Sequence, residues 1–92
     1  MKLAELKEMC EKNGVLATLW HDLALTAIKL RESQDLAVLK IQQKEFNLED
    51  KAKLDTLIKL FDRLKNKLIE EIEKKGNDVL SFDVPEIIEL YV

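Results

Sequence analysis

The sequence predicts an all-α protein: a long antiparallel helical hairpin, preceded by a short N-terminal helix and followed by an extended or short helical C-terminal tail. The chain has 92 residues, 47% hydrophobic and 36% charged, a composition typical of a folded helical domain. Only two glycines and one proline are available to turn the backbone, so the elements must be few and long. At this length we expect one domain, residues 1–92.

The short N-terminal helix is predicted within residues 1–13. Leu3, Leu6 and Met9 recur at helical spacing and give the segment one apolar face. Gly14 follows, and a glycine just after a helix can adopt the left-handed conformation that satisfies the last carbonyls. We therefore expect the first helix to end here.

A heptad pattern predicts the second helix, residues 15–44. Its positions alternate in steps of four and three, and one of them is polar: Leu16, Trp20, Leu23, Ala27, Leu30, Gln34, Ala37 and Ile41. This spacing is typical of a helix packed along one seam, as in a coiled coil. The alternative is a break near Ser33, which could cap a new helix. The unbroken phase of the pattern favours one continuous helix.

The third helix is predicted over residues 47–75. Asn47 is a good N-cap, and Glu49 and Asp50 suit the positive end of the helix dipole. One face is apolar and comprises Leu54, Leu57, Ile58, Phe61, Leu64, Leu68, Ile69 and Ile72. Gly76 follows the last turn, so the two long helices form an antiparallel hairpin joined by a short polar turn.

The tail, residues 76–92, is acidic and apolar, with four acids and no base. Leu80, Phe82 and Val84 alternate with polar residues, which indicates an extended segment. Pro85 can then begin one last helical turn, because the first turn of a helix does not need its missing N–H.

Imidazole chemistry, if the chain has any, must lie in the stretch Trp20-His21-Asp22, since His21 is the only histidine. Adjacent helical residues point about 100° apart, so His21 and Asp22 cannot share one ion. The four positions that could supply a helical partner hold two alanines, a threonine and a leucine. We expect a structural role here, or at most a pH-sensitive contact of His21 within the fold.

Other signs of catalysis are equally sparse. Cys10 lies on the apolar face of the first helix, with no histidine near it in sequence. Glu70, Glu71 and Glu73 form an acidic cluster, but no second cluster faces it as a metal-dependent site would require. The chain has no glycine-rich phosphate loop, no CxxC pair and no serine elbow. We therefore expect no catalytic residue, no cofactor and no metal ion, and hence not an enzyme.

Charge and hydropathy argue against nucleic-acid binding and against a membrane-spanning segment. The net charge is −3, and residues 40–75 carry ten Lys/Arg against eight Asp/Glu, a mixed surface. A lone protomer should not bind nucleic acid, although a ring of subunits could gather Lys59, Arg63 and Lys67 into a basic band. No uncharged apolar stretch approaches the roughly 20 residues of a membrane span. With one cysteine, we expect a cytoplasmic protein.

The second helix is apolar on more than its seam, because Leu25, Ile28, Leu36 and Leu39 cluster on roughly the opposite side. A helix that is apolar on two faces is either sandwiched inside a bundle or shared between chains. The first interpretation gives a closed monomeric bundle. The second gives a homo-oligomer with these residues at the interface, and it is the one we favour.

The tail offers a second candidate interface, formed by Phe82, Ile87 and Leu90. An acidic, apolar segment can dock in a groove on a basic partner protein. The alternative is that these side chains fold back over the hairpin.

These observations lead to a non-enzymatic protein–protein interaction protein. It would be a small homo-oligomeric assembly or adaptor factor, or an inhibitor that docks on a larger machine. In outline the hairpin resembles small oligomerising adaptors of phages and mobile elements, including the central hairpins of terminase small subunits. The resemblance is one of architecture rather than motif, and it implies the alternative function of a DNA-handling module in a ring-forming complex.

Overall fold

The computed structural model describes residues 2–79 and 81–91 and confirms the all-α helical hairpin. Its four helices are α1 (Leu3–Glu11), α2 (Gly14–Gln42), α3 (Leu48–Lys74) and α4 (Val84–Glu89). The molecule is elongated, with extents of 48 × 24 × 21 Å. The long helix α2 is central, because α1, α3 and α4 all pack against it. None of the helices in the described residues has the length and apolar character needed to cross a bilayer.

The helix α2 is continuous through Ser33, as the unbroken heptad phase predicts. Its N-cap is Asn13, whose side chain accepts hydrogen bonds from the backbone N–H groups of Val15 and Leu16 at 3.2 and 3.3 Å. Gly14 is the first residue of α2 and does not have a positive φ, so the expected left-handed end of the first helix is wrong. The Asn13 cap makes that conformation unnecessary, since it starts the next helix at once.

Asn47 and Asp83 begin α3 and α4 with the same reciprocal arrangement. The Asn47 side chain accepts from the Asp50 N–H at 2.9 Å, and the Asp50 carboxylate accepts from the Asn47 N–H at 3.2 Å. Asp83 and Glu86 form the equivalent capping box, with Pro85 in the first turn of α4 as predicted. In the segment before α4, residues 77–79 and 81–83 have no regular secondary structure, and Leu80 lies outside the described residues.

The ends of α2 and α3 share one motif with different residues. At each end two backbone N–H groups beyond the helix bond back to carbonyls of its last turn, the pattern of a Schellman motif. The residue in the left-handed conformation is Gly76 after α3, with φ +83°, and Lys44 after α2, with φ +59°. A lysine therefore occupies the position at the hairpin turn where glycine is the usual residue.

We call residues 2–30, 61–79 and 81–91 the head. All four helices contribute to its core, whose buried residues are Leu6, Cys10, Leu16, Trp20, Leu23, Ala24, Ala27, Leu30, Phe61, Leu68, Ile72, Phe82, Val84 and Ile87. Phe61 lies in one cluster with Leu23, Ala27 and Leu30, and is 2% exposed. The Lys65 ammonium also donates to the Phe82 carbonyl at 3.2 Å, which ties the segment before α4 to α3.

We call residues 31–60 the arm. Here α2 and α3 continue as a bare pair, and Ala37 is the one buried hydrophobic residue among those described. The heptad pattern places Ile41 in the seam of the second helix, and Ile58 belongs to the apolar face of the third helix, but they are 58% and 38% exposed. Both remain partly in water because the buried residues of α1 and α4 lie in the head core, which leaves the two long helices of the arm to cover each other only in part.

Candidate protein-binding surface

The Trp20-His21-Asp22 stretch lies within α2 and has one buried and two exposed residues. Trp20 is 3% exposed, whereas His21 and Asp22 both lie on the surface. The Trp20 indole N–H donates to the Tyr91 hydroxyl at 2.7 Å, so this ring holds the end of the tail against α2. The described residues contain no group of three or more His, Cys, Asp or Glu side chains that could hold a metal ion.

Cys10 is fully buried in the head core, and this burial raises the pKa of its thiol to about 11. The thiol is therefore protonated at neutral pH, whereas nucleophilic chemistry requires the thiolate. The acidic residues near the end of α3 are engaged locally, since Glu70 and Glu71 each lie 3.5 Å from the Lys74 ammonium.

The surface that stands out is apolar. Ten large hydrophobic residues are exposed among those described: Val15, Leu25 and Tyr91 in the head, and Leu36, Val38, Leu39, Ile41, Leu48, Ile58 and Leu60 in the arm. Monomeric proteins rarely leave apolar residues concentrated in this way, and such patches commonly mark binding sites. The arm is therefore the principal candidate interface.

Three of the four predicted interface residues on the second helix are exposed. Leu25, Leu36 and Leu39 are 42%, 52% and 48% exposed, and Ile28 is half-buried. They lie on the side of α2 turned away from its buried seam, as their spacing requires. We call this row, from His21 to Leu39, the outer stripe of α2.

An open groove accompanies the outer stripe where it passes the head. The groove has a volume of about 310 Å³ and is lined by Glu11, Ala17, Trp20, His21, Ala24, Leu25, Ile28 and Tyr91. Small alanine side chains leave room beside the larger ones, so another helix can approach α2 closely here. His21 is thus a rim residue of an apolar groove.

The tail residues are placed differently. Phe82 and Ile87 are 5% and 0% exposed, and Leu90 is half-buried against the same core. The tail folds back over the hairpin, so Phe82 and Ile87 offer no free surface in this fold, whereas Leu90 keeps part of its surface exposed. The physical reason is that α4 closes the open side of the head, where Trp20 also meets Tyr91.

A second exposed apolar group lies on the opposite side of α2 in the arm. Val38 and Ile41 are 56% and 58% exposed and continue the direction of the buried seam. The heptad pattern includes Ile41 as a seam residue. Val38 belongs neither to the seam nor to the predicted interface residues. The exposure of Val38 depends on which elements pack against α2 at that point, which no local spacing reveals.

The basic residues proposed for a ring do lie on the surface. Lys59, Arg63 and Lys67 are all exposed on α3. Exposed Asp62 and Glu70 lie beside them, so one protomer presents a mixed face rather than a basic stripe.

Comparison with known proteins gives no relative. No protein-family model matches the chain, and no curated protein or solved structure matches it either.

Proposed function

We propose that this chain is a non-enzymatic protein-interaction factor that acts as a homo-oligomer, in an assembly or adaptor role or as an inhibitor of a larger machine. The observation that carries this proposal is the arm, which exposes seven large hydrophobic residues while burying only Ala37 among its hydrophobic residues. A surface of this kind gains free energy when a protein partner removes it from water.

The arrangement of the apolar groups supports an adaptor in particular. An adaptor needs one surface for its own kind and another for its target. The outer stripe includes Leu36 and Leu39. The second apolar group, formed by Val38 and Ile41, lies on the opposite side of α2, so one partner protein cannot cover both. The outer stripe serves self-association, and the other group remains open to a target protein.

Light scattering over a concentration series tests self-association. The wild type should exceed the monomer mass of 10.7 kDa at high micromolar concentration. The double variant Ile28→Glu with Leu39→Glu should stay monomeric and folded, because association would bury its new charges. A wild type that remains monomeric throughout would refute the homo-oligomer.

The matched control is Val15→Glu with Leu48→Glu. These residues are more exposed than the test pair, at 71% and 84%, but lie off the outer stripe. The control should associate like the wild type. Equal losses in both double variants would show that the effect comes from added charge and not from the outer stripe.

The DNA-handling alternative receives weaker support, since acidic residues interrupt its basic face. Retention on immobilised duplex DNA at physiological ionic strength separates the two functions. The adaptor should elute without retention, whereas a DNA-binding ring should be retained and released as salt is raised. Lys59→Glu with Arg63→Glu should abolish any retention that is specific to this face.

A further inference from the structure

We propose that two copies associate antiparallel along the outer stripe of α2, with the two-fold axis at Glu32. This inference rests on the proposed self-association and adds its partner surface and its register. Residues whose numbers sum to 64 then face each other, so Leu25 meets Leu39 of the second copy and Ile28 meets Leu36. The pattern is self-complementary, as an isologous two-fold interface requires.

Packing supports this register. With the axis at Glu32, the Leu36 and Leu39 side chains of one arm lie against Ile28 and Leu25 of the second copy, beside the groove of about 310 Å³. Two of the seven exposed hydrophobic residues of each arm, Leu36 and Leu39, are thereby covered by the head of the other copy. The helix α3 packs on the seam side of α2, and on the outer stripe it reaches Leu36, which lines a cleft with Asp50, Lys53 and Leu54 and stays 52% exposed.

Charge decides between the antiparallel and the parallel arrangement. In the antiparallel pair the two-fold axis is perpendicular to the helix axes, so each flank of the outer stripe meets the same flank of the second copy. Arg31 then lies beside Asp35 of the second copy, twice per dimer. A parallel pair would instead bring Arg31 towards Lys29 of the second copy, a repulsive contact. Within one chain Arg31 and Asp35 are 3.7 Å apart and remain half or more exposed, so both stay available.

The Glu32 carboxylates meet at the axis, where like charges oppose association. Lys29 lies one helical turn before Glu32, on the flank that faces the second copy, so its ammonium can reach the Glu32 of that copy. The apolar contact from Leu25 to Leu39, centred on Glu32, is about 21 Å long, and one helix pair of this length buries less than a standard interface of about 800 Å² per partner. We therefore expect a reversible, concentration-dependent dimer.

Disulfide trapping tests the register with the whole chain. His21 and Gln43 are both exposed and sum to 64. A mixture of His21→Cys and Gln43→Cys chains should form a cross-linked heterodimer under mild oxidation. Neither variant alone should cross-link efficiently, because two residues at position 21 would lie about 33 Å apart, far beyond disulfide reach. The wild type controls for Cys10, which is fully buried.

Three further variants complete the test. Glu32→Cys, at the axis, should cross-link to itself. Arg31→Asp should weaken the dimer severalfold, and adding Asp35→Arg should restore it, because the reversed pairs attract again. Circular dichroism checks that each variant keeps its helices.

The outcomes separate this geometry from self-association itself. Cross-linking of His21→Cys alone would indicate a parallel dimer and overturn the register. A dimer by light scattering with no cross-link at positions 21, 32 or 43 would place the interface elsewhere, and the proposed function would stand. A monomer at every concentration would refute both.

Discussion

The head and the arm are built from the same two helices but are stabilised differently. In the head, α1 and α4 close over the hairpin, and residues such as Phe61 and Leu23 lose nearly all contact with water. In the arm, α2 and α3 have only each other. A pair of helices buries only a narrow strip of each partner, so Leu36 on the outer stripe and Ile41 near the end of the seam both remain about half exposed.

The difference shows that a heptad pattern identifies the apolar face of a helix but not how much of that face other helices bury. The seam of α2 runs without a change of phase from Leu16 to Ile41, yet its buried part ends at Ala37. The arm compensates with local interactions. Its turn carries the Asn47 capping box and the ion pair between Lys40 and Asp50 at 2.8 Å. Such elements open locally at lower free energy than a packed core does.

The largest expected effect separates the two regions on one helix. Phe61→Ala should lower the free energy of unfolding by about 3–5 kcal/mol, because it leaves a cavity in the head core. Ile58→Ala, one turn earlier in the arm, should cost at most about 1.5 kcal/mol, since Ile58 is already partly in water. Urea denaturation at a concentration that keeps the chain monomeric measures both.

Equal losses at the two positions would contradict the division into head and arm. That result would mean that the arm is packed as tightly as the head, and the exposed residues of the arm would no longer indicate a binding surface.

Local signals in the sequence were sufficient for the secondary structure. The Asn47 cap, the Pro85 turn and the glycine at position 76 act through neighbouring backbone groups, so each can be recognised from a few residues. The exposure of Ile58 and the burial of Phe82 could not be predicted in this way. Both depend on which elements pack together in three dimensions, a tertiary property that no spacing within one helix encodes.

The residues of the candidate surface also differ in whether local sequence signals could predict them. The outer stripe could be predicted, because helical periodicity places Leu25 and Leu39 away from the seam whatever covers it. Tyr91 could not, since its contact with Trp20 joins residues 71 positions apart. The Lys44 conformation was also missed, because lysine carries no signal for a positive φ.

Substitutions in the two Schellman motifs should have effects of intermediate size on stability. Lys44→Gly should stabilise the arm by about 1 kcal/mol, because a non-glycine residue is strained at positive φ. Gly76→Ala should destabilise the head by a similar amount of about 1 kcal/mol. An added Cβ at Gly76 meets no atom within 4 Å, so the cost there is purely conformational. Thermal unfolding measures both, and a destabilised Lys44→Gly chain would show that the Lys44 side chain makes a contribution larger than its strain.

The smallest effect concerns the ion pair that joins the two helices of the arm. The Lys40 ammonium, followed by the Asn47 N–H, holds the pKa of the Asp50 carboxyl below its ordinary value of about 3.9. A carboxyl whose pKa is lowered by folding contributes stability that is present above the unfolded pKa, and it is lost as the pH falls through the folded pKa. Asp50→Asn should therefore reduce stability at neutral pH.

The pH dependence distinguishes this ion pair from a simple loss of charge. The difference in stability between the wild type and Asp50→Asn should begin to shrink as the pH falls below about 4, where the unfolded carboxyl takes up a proton, and it should be lost as the pH falls through the lower pKa of the folded carboxyl. Asp55→Asn is the matched control, since Asp55 is exposed on the same helix and forms no ion pair among the described residues. Denaturation at several pH values measures the difference. If it stayed constant down to acid pH, the contribution of Asp50 would come from its neutral hydrogen bonds, and the turn of the arm would be held by the capping box alone.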